Sequence, residues 1–345
     1  GRGTCDTKGT GAAMLWALQE YARQPNRTRN AGIIFAVDEE AQMTGAQAFA
    51  AGEVAKFKKL RGIVVGEPTN LRPVVAHNGA LRWRTITRGV AAHSADPTKG
   101  RSAIRAMLRV VEALEARFLP HANREFPLTG RAAASINVIR GGSAVNIIPD
   151  YCEIICDRRL VPGETAAQVL TERDAALAGL AVEHDGQYLA PPLPPESSAA
   201  LHAWAAPALT ACGLDATAMG APYATDASHY AAAGAQVMVL GPGELAQAHT
   251  KDEWLDRREL AKAVAAYHSR TPDLAQAYLV KVDAALTELR AQGGAPAMPD
   301  ATFAMADVAM PRENKFPLLR AGAQGSGASL VPMTDGGIPL FAATP

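Results

Sequence analysis

The side chains best suited to chemistry in this chain are four acids and a histidine that stand beside short apolar runs. These residues are Asp6, Glu39, Glu40, Glu67 and His249. Carboxylate oxygens and imidazole nitrogens bind zinc and related cations, and a catalytic site keeps one position open for water. The apolar runs predict β-strands, and in an open parallel sheet such side chains meet beyond the carboxyl ends of the strands. The set therefore predicts a metal site, although it lacks the second imidazole that such a site usually needs.

Two cations about 3.5–4 Å apart can share one carboxylate and a bridging water. Such a centre needs a bridging carboxylate, further ligands for each ion and one carboxylate left free as a base. Adjacent acids on a strand point to opposite faces, so Glu39 and Glu40 can divide these roles only where the backbone is irregular. Each residue also has a plain alternative: Asp6 as a helix cap or turn residue, Glu39–Glu40 as a solvated pair, Glu67 as a turn acid and His249 as a surface histidine.

Apolar periodicity places these residues on alternating helices and strands. It predicts a helix over residues 9–24, a strand over 30–37, a helix over 46–57 and a strand over 60–65. This alternation favours a mostly parallel sheet in an α/β domain. The first strand of such a unit would precede Asp6, where only five residues stand. We therefore expect a chain truncated at its N-terminus and a sheet without its first strands.

The pattern changes after about residue 77. Strands are predicted over 81–87, 134–139, 151–156 and 182–189, and helices over 103–118 and 165–177. The order β-α-β-β-α-β is that of a ferredoxin-like fold. The predicted domains are residues 1–77 and 191–270 for the α/β domain, 78–190 for an insertion, and 271–345 for an extension with a helix over 274–289 and a loose Gly-, Ala- and Pro-rich tail.

Composition narrows the class of protein. Hydrophobic residues make up 48% and charged residues 20% of the 345 residues, and the formal net charge is zero, so nothing favours nucleic acid or an acidic membrane as a partner. No run approaches the ~18 apolar residues of a membrane span. The four cysteines lack CxxC spacing, which favours reduced thiols in a cytoplasmic protein.

Six segments carry a resemblance to a known family. They are GRGTCDTKG (1–9), VDEE (37–40), GEPT (66–69), RGVAAHSADPTKGRSAI (88–104), INVIRGGSAVNIIPDYCEIICDRRLVPGE (136–164) and GPGELAQAHTKDEWL (241–255). In this order, over roughly residues 1–270, they resemble the acetylornithine deacetylase and succinyl-diaminopimelate desuccinylase family, whose relatives include aminoacylases and glutamate carboxypeptidases. The resemblance implies a mostly parallel-sheet metallohydrolase domain with an inserted ferredoxin-like lid and dimerisation domain.

The resemblance also implies roles at the metal centre. Asp6 would bridge two divalent ions, zinc or possibly cobalt. Glu40 and His249 would bind one ion and Glu67 the other, while Glu39 would be the general base that activates the bridging water. The family normally carries a His-x-Asp motif before the segment that holds Asp6, and no such motif precedes it here. One of the two metal sites is therefore expected to be incomplete, and the truncated chain is expected to be a poor enzyme.

Three further residues are implicated in substrate binding by the same resemblance. His93 would stabilise the oxyanion, often in the site of a partner subunit. Asn146 and Arg159 would hold the substrate carboxylate, for which a guanidinium offers two parallel hydrogen bonds. The plain alternatives are a loop-capping histidine for His93 and a surface salt bridge for Arg159.

The resemblance implies hydrolysis of the amide between a short acyl group and an amino acid, in a cytoplasmic homodimer. N-acetylornithine deacetylation, a step of arginine biosynthesis, is the first expectation. A succinyl-diaminopimelate desuccinylase or a general N-acyl amino acid hydrolase is the alternative within this chemistry. A non-catalytic dimeric pseudoenzyme is the alternative from another class.

Overall fold

A computed structural model describes residues 2–268 and the short segments 319–320, 329–330 and 339–343. The α-helices within these residues are α1 (Gly9–Ala22), α2 (Thr44–Gly52), α3 (Ala103–Arg117), α4 (Ala166–Ala176), α5 (Ala199–Ala211), α6 (Ala227–Ala232) and α7 (Arg257–His268). The strands are β1 (Gly32–Phe35), β2 (Gly62–Gly66), β3 (Val74–His77), β4 (Gly79–Arg88), β5 (Ala92–His93), β6 (Glu125–Phe126), β7 (Gly130–Arg131), β8 (Ala133–Gly141), β9 (Ile147–Ile148), β10 (Tyr151–Leu160), β11 (Glu183–Ala190), β12 (Met219–Ala221), β13 (Val237–Val239), β14 (Leu319–Arg320), β15 (Ser329–Leu330) and β16 (Pro339–Ala343).

The chain divides into two compact units. The first unit comprises Gly1–Val75, Pro195–Met219 and Thr225–Pro345, and the second comprises Ala76–Pro194 with Gly220–Ala224. The short segment Gly220–Ala224 contacts the rest of the second unit, where the Asn78 N–H donates to the Ala221 carbonyl at 3.0 Å. A contact of this kind between distant positions leaves no trace in local periodicity, so it could not be predicted from the residue pattern.

The first unit is built around a six-stranded mixed sheet. Its strand order is β1-β16-β2-β13-β3-β12. β1, β16, β2 and β13 run parallel to one another, whereas β3 is antiparallel to β13. Every residue of β2 and β13 is buried, which suits central strands whose two faces are both covered.

The helices α1 and α7 share an apolar core within the first unit. Met14 of α1 and Leu260 and Val264 of α7 belong to one buried cluster with Val64 of β2 and Leu240, the residue after β13. α1 is rich in alanine, leucine and methionine, which have the highest helix propensities. Burial against α7 and the sheet supplies the remaining stability, since a short isolated helix is marginal in water.

The tail contains structure that the sequence pattern did not predict. β16 lies between β1 and β2, with Leu340 opposite both Gly32 and Ile63. We expected this sheet to lack its first strands. In the structure, residues 339–343 supply a strand between β1 and β2. β14 and β15 form a separate antiparallel pair. The helix predicted over residues 274–289 lies outside the described residues.

The second unit has the predicted order of main elements, β4-α3-β8-β10-α4-β11. Its sheet is antiparallel, with strand order β11-β4-β10-β8. The Ser102 side chain caps α3 by accepting the Arg105 N–H at 3.2 Å, and Thr165 caps α4 in a capping box with Gln168. Met107 and Leu114 of α3 pack in one core with Trp83. The helices of the described residues are all too short or too polar to cross a lipid bilayer.

Candidate metal centre

Three side chains that are far apart in the sequence meet in the first unit. His249 Nε2 lies 2.9 Å from Asp6 Oδ2 and 3.1 Å from Glu40 Oε1. One ligand atom from each residue lies within 4.8 Å of the other two. Ligands of a tetrahedral zinc ion at about 2.0–2.1 Å are about 3.3 Å apart, so these separations fit a shared cation. The donor set, two carboxylates and one imidazole, fits zinc and similar divalent ions.

Glu40 is placed by an irregular turn at the end of β1. Asp38 has a left-handed backbone with φ of 68°. Its carbonyl accepts the N–H groups of Gln42 at 3.1 Å and Met43 at 2.6 Å, and its carboxylate accepts the Thr44 hydroxyl at 2.9 Å. The backbone at this strand end is irregular, which is the condition under which Glu39 and Glu40 could divide their roles. Consecutive acids can therefore leave the alternation of an extended strand.

Asp6 is placed by backbone contacts between the first residues and the loop that contains His249. The Glu253 carboxylate accepts the N–H groups of Gly3, Cys5 and Asp6 at 2.7, 2.8 and 2.8 Å. The peptide bond between Asp6 and Thr7 is cis. Asp6 lies just before α1, whose first residue is Gly9.

Two glycines permit this close packing. A Cβ on Gly9 would lie 2.3 Å from Leu255 Cδ2, and a Cβ on Gly243 would lie 2.3 Å from Cys5 Sγ. Distances under 3.0 Å are not tolerated by real Cβ atoms, so a larger residue would force the two segments apart. Close packing between the segments 1–9 and 241–255 therefore explains why glycine stands at positions 9 and 243.

His249 follows the helical turn Leu245–Gln247. Its φ is 60°, an uncommon conformation for a residue with a side chain. The Thr250 hydroxyl donates to the Gln247 carbonyl at 2.8 Å, which fixes the turn beside it. Strained conformations of this kind persist where the surrounding structure determines them, and they concentrate at functional sites.

The electrostatics of the cluster centre on Asp6. Burial raises the pKa of Asp6 most strongly, and the charge of Glu40 raises it further, whereas His249 lowers it. Nearby, burial raises the pKa of the Cys5 thiol to about 12, so Cys5 is a buried neutral thiol and not a nucleophile.

Glu67 and Glu39 are near strand ends as predicted, but they are not part of the three-residue cluster. Glu67 follows β2 and is 6% exposed. Its backbone is packed against Gly241, where a Cβ would lie 2.4 Å from the Glu67 carbonyl oxygen. Glu39 is half-buried between Asp38 and Glu40. The structure thus brings together three of the five predicted residues of the centre.

The three predicted substrate-binding residues lie in the second unit. His93 is exposed and its Nδ1 accepts the Ala95 N–H at 3.1 Å. The Asn146 carbonyl accepts the Ser94 N–H at 2.9 Å, so the segments of His93 and Asn146 are neighbours. Arg159 donates from Nε to Asp157 at 2.8 Å. The structure shows the loop-capping and ion-pair contacts that were the alternatives for His93 and Arg159.

Sequence reasoning missed two buried acids of the first unit. Glu253 is 2% exposed and follows His249 by four residues, but in HTKDE it is one of two adjacent acids and nothing distinguished it. Asp226 is fully buried, and its carboxylate has no hydrogen-bond partner among the described residues. Burial raises the pKa of Asp226 to about 7. Its segment ATDASHY gave no signal of burial.

Known proteins resemble this chain along most of its described length. Residues 1–270 match peptidase family M20/M25/M40. The acetylornithine deacetylase of Edwardsiella ictaluri is 31% identical over 267 residues, covering 74% of this chain and 67% of that protein. The acetylornithine deacetylase of Proteus mirabilis is 31% identical over 263 residues, covering 74% and 66%. The chain spans about two thirds of the length of these relatives.

Solved structures show the same fold. Aminopeptidase PepT of Bacillus cereus superposes with a TM-score of 0.57 at 21% identity, covering 78% of this chain and 71% of that one. An M20 family metallo-carboxypeptidase of Sulfolobus solfataricus gives a TM-score of 0.59 at 15% identity, covering 81% and 77%. At these identities the likeness concerns the fold alone. From the family match and the identity to the deacetylases together, the chain belongs to peptidase family M20/M25/M40, a family of metal-dependent hydrolases that act on amide bonds.

Proposed function

We propose that this chain carries the metal centre of an N-acyl amino acid amidohydrolase, with N-acetylornithine as the first candidate substrate. The observation that carries the proposal is the convergence of Asp6, Glu40 and His249, with donor atoms 2.9 and 3.1 Å apart. Identity of 31% to acetylornithine deacetylases supports the choice of substrate class. Succinyl-diaminopimelate and other N-acyl amino acids are the alternatives within this chemistry.

Asp6, Glu40 and His249 would hold one divalent ion, zinc or cobalt. In the proposed two-ion centre, Asp6 would also contact a second ion together with Glu67. A bound ion of this kind supplies a Lewis acid for the acyl carbonyl and lowers the pKa of water. Glu67 is buried directly after β2, which suits a residue that must hold a fixed position as a ligand.

The proposed roles of the remaining residues concern proton transfer and substrate binding. Glu39 would take the proton of the attacking water and deliver it to the leaving amine, the work of a general base that then acts as an acid. His93 would donate to the oxyanion, and Asn146 and Arg159 would hold the substrate carboxylate. The ion pair of Arg159 with Asp157 uses Nε, so this contact does not involve the end edge formed by the two terminal nitrogens.

We also propose a homodimer formed through the second unit. β8 is one of the two edge strands of the four-stranded sheet, so one side of its backbone has no strand neighbour among the described residues. Ile139 on β8 is 56% exposed and Leu108 on α3 is 59% exposed. An edge strand with exposed apolar neighbours suits pairing with a second copy, because a symmetric interface uses the same patch twice.

The function is tested by metal binding and a substrate panel. Metal-free protein is titrated with Zn²⁺ or Co²⁺ in a calorimeter, and turnover is measured with N-acetylornithine, N-succinyl-diaminopimelate and a dipeptide. We expect at least one tight ion per chain in the wild type and its loss in His249→Ala. His121→Ala, which removes an exposed histidine outside the cluster, is the matched control.

The outcomes separate the alternatives. Turnover of one acylated amino acid above the others identifies the substrate class. Tight metal binding without turnover of any of the three is expected both of a pseudoenzyme and of a chain in which one of the two metal sites is incomplete. Absence of tight binding in the wild type, or binding that His249→Ala leaves unchanged, would contradict the proposed centre.

A further inference from the structure

Glu253 is an acid without an assigned role that lies inside the machinery around the metal centre. Its side chain is almost completely buried, with 2% of the residue exposed. Oε1 accepts the N–H groups of Cys5 and Asp6, both at 2.8 Å, and Oε2 accepts the N–H of Gly3 at 2.7 Å. The two segments that it joins are about 250 residues apart in the sequence.

The N–H groups of Gly3, Cys5 and Asp6 converge on one carboxylate that the chain itself supplies. Gly3, with φ of 81°, supplies a left-handed residue at the start of this segment. Hydrogen bonds from N–H groups to an ionised acceptor are about twice as strong as neutral ones. Three of them on one buried carboxylate also satisfy backbone donors that would otherwise be costly to bury.

The contacts of Glu253 bear on two of the three clustered residues at once. Asp6 donates one of the hydrogen bonds from its own N–H, and His249 precedes Glu253 by four residues in the same loop. Glu253 therefore links the two segments that contain Asp6 and His249. The side chains of these residues approach to 2.9 Å, between His249 Nε2 and Asp6 Oδ2.

We propose that Glu253 is a positioning residue for the metal centre, which holds the backbone of Asp6 opposite the loop of His249. The expected effect on metal affinity rests on the proposed metal site. The three hydrogen bonds that Glu253 accepts, which we call the clamp, are a property of the metal-free chain. Residues that support ligands from outside typically change metal affinity by about 10- to 100-fold.

The test compares Glu253→Gln with Glu259→Gln. Glutamine keeps the shape of the side chain but replaces one acceptor oxygen with an NH₂ group, which would face a backbone N–H. Glu259 is a matched control, because its Oε2 accepts the N–H of Gly243 at 2.8 Å in the same loop region and touches none of the three clustered residues. Each protein is titrated with Co²⁺, which has visible absorption bands that report ligand geometry.

We expect Glu253→Gln to weaken Co²⁺ binding by about 10-fold or more and to change the absorption bands. Glu259→Gln should retain both the affinity and the bands, even if its melting temperature falls by a similar amount. A purely structural role for Glu253 would lower the melting temperature and leave the bands unchanged, and that result would overturn the proposal.

A second measurement separates the clamp from the proposed function. Hydrogen exchange of residues 2–8 is followed in the metal-free proteins. We expect faster exchange in Glu253→Gln than in the wild type and Glu259→Gln. If the wild type binds no Co²⁺, the proposed function fails while this exchange result still decides the clamp. Equal exchange in all three proteins would refute the clamp directly.

Discussion

At the scale of single residues, the candidate metal centre depends more on where its side chains are held than on which residue types they are. Asp6, Glu40 and His249 are ordinary residue types, and any of them could serve as a turn or surface residue. Their positions are fixed by a left-handed Asp38, a left-handed His249 and a buried Glu253. Resemblance to a family could point to the first three residues, whereas the support of Glu253 appears only once the loops are placed in space.

Asp226 gives a prediction about pH and stability. Burial raises the pKa of Asp226 to about 7 in the folded chain, from the ordinary aspartate value of 3.8. The folded state therefore binds more protons than the unfolded state between about pH 4 and 7. The stability that comes from the protonated Asp226 is complete below about pH 4 and is lost as the pH rises through 7. Over that range the loss amounts to at most about 4 kcal/mol.

We expect Asp226→Asn to remove this loss, so that the variant gains stability relative to the wild type between pH 5 and pH 8. The measurement is the free energy of unfolding in urea at both pH values. Asp215→Asn is the control, because the pKa of Asp215 is lowered by its hydrogen bonds to Thr217 and it stays ionised over this range. A stability difference between Asp226→Asn and the wild type that is the same at both pH values would contradict the prediction.

At the scale of elements, periodicity predicted the longer helices and strands to within a few positions, namely α1, α3, α4, β4, β8, β10 and β11. The helix α3 begins at the predicted residue 103 and ends one residue short of the predicted 118, and α4 ends one residue short of the predicted 177. Strong amphipathic patterns and clear caps explain this agreement. β16 could not be predicted, because it is a five-residue apolar run that begins with proline in a Gly-rich segment.

The strand β16 is the sole sheet neighbour of β1 among the described strands. Glu40 follows β1, and Glu67 follows β2 on the other side of β16. We expect Phe341→Pro to loosen β1, since proline removes a backbone donor from a strand that pairs on both sides. Hydrogen exchange of residues 32–35 should become faster.

Phe341→Val is the matched variant, because valine favours extended backbone and keeps the donor. It should leave exchange of residues 32–35 near the wild-type rate. Equal exchange in the wild type and Phe341→Pro would show that β1 is held by contacts other than β16, such as those with α1.

At the scale of the whole molecule, the edge strand β8 gives a prediction about assembly. If the proposed homodimer forms through β8, we expect Ile139→Asp to shift it from dimer to monomer, because a charge is costly to bury in an apolar interface. Light scattering after gel filtration measures the mass in solution. Leu245→Asp is the control, since Leu245 is an exposed leucine of the other unit. A monomeric wild type, or a dimer that survives Ile139→Asp, would remove the second unit as the interface.

The position of β16 also has a consequence for how the sheet assembles in time. Gly32 and Ile63 both pair with Leu340. The facing edges of β1 and β2 can therefore be paired only after a segment about 300 residues away in the sequence has reached them. Contacts with such long sequence separation form slowly, because the loop must close before the pairing stabilises it. Until then β1 and β2 present unpaired edges that can pair with other chains. Because β16 joins β1 to the sheet, we expect the metal centre to form late in folding. The yield of folded protein should fall as the protein concentration during folding rises.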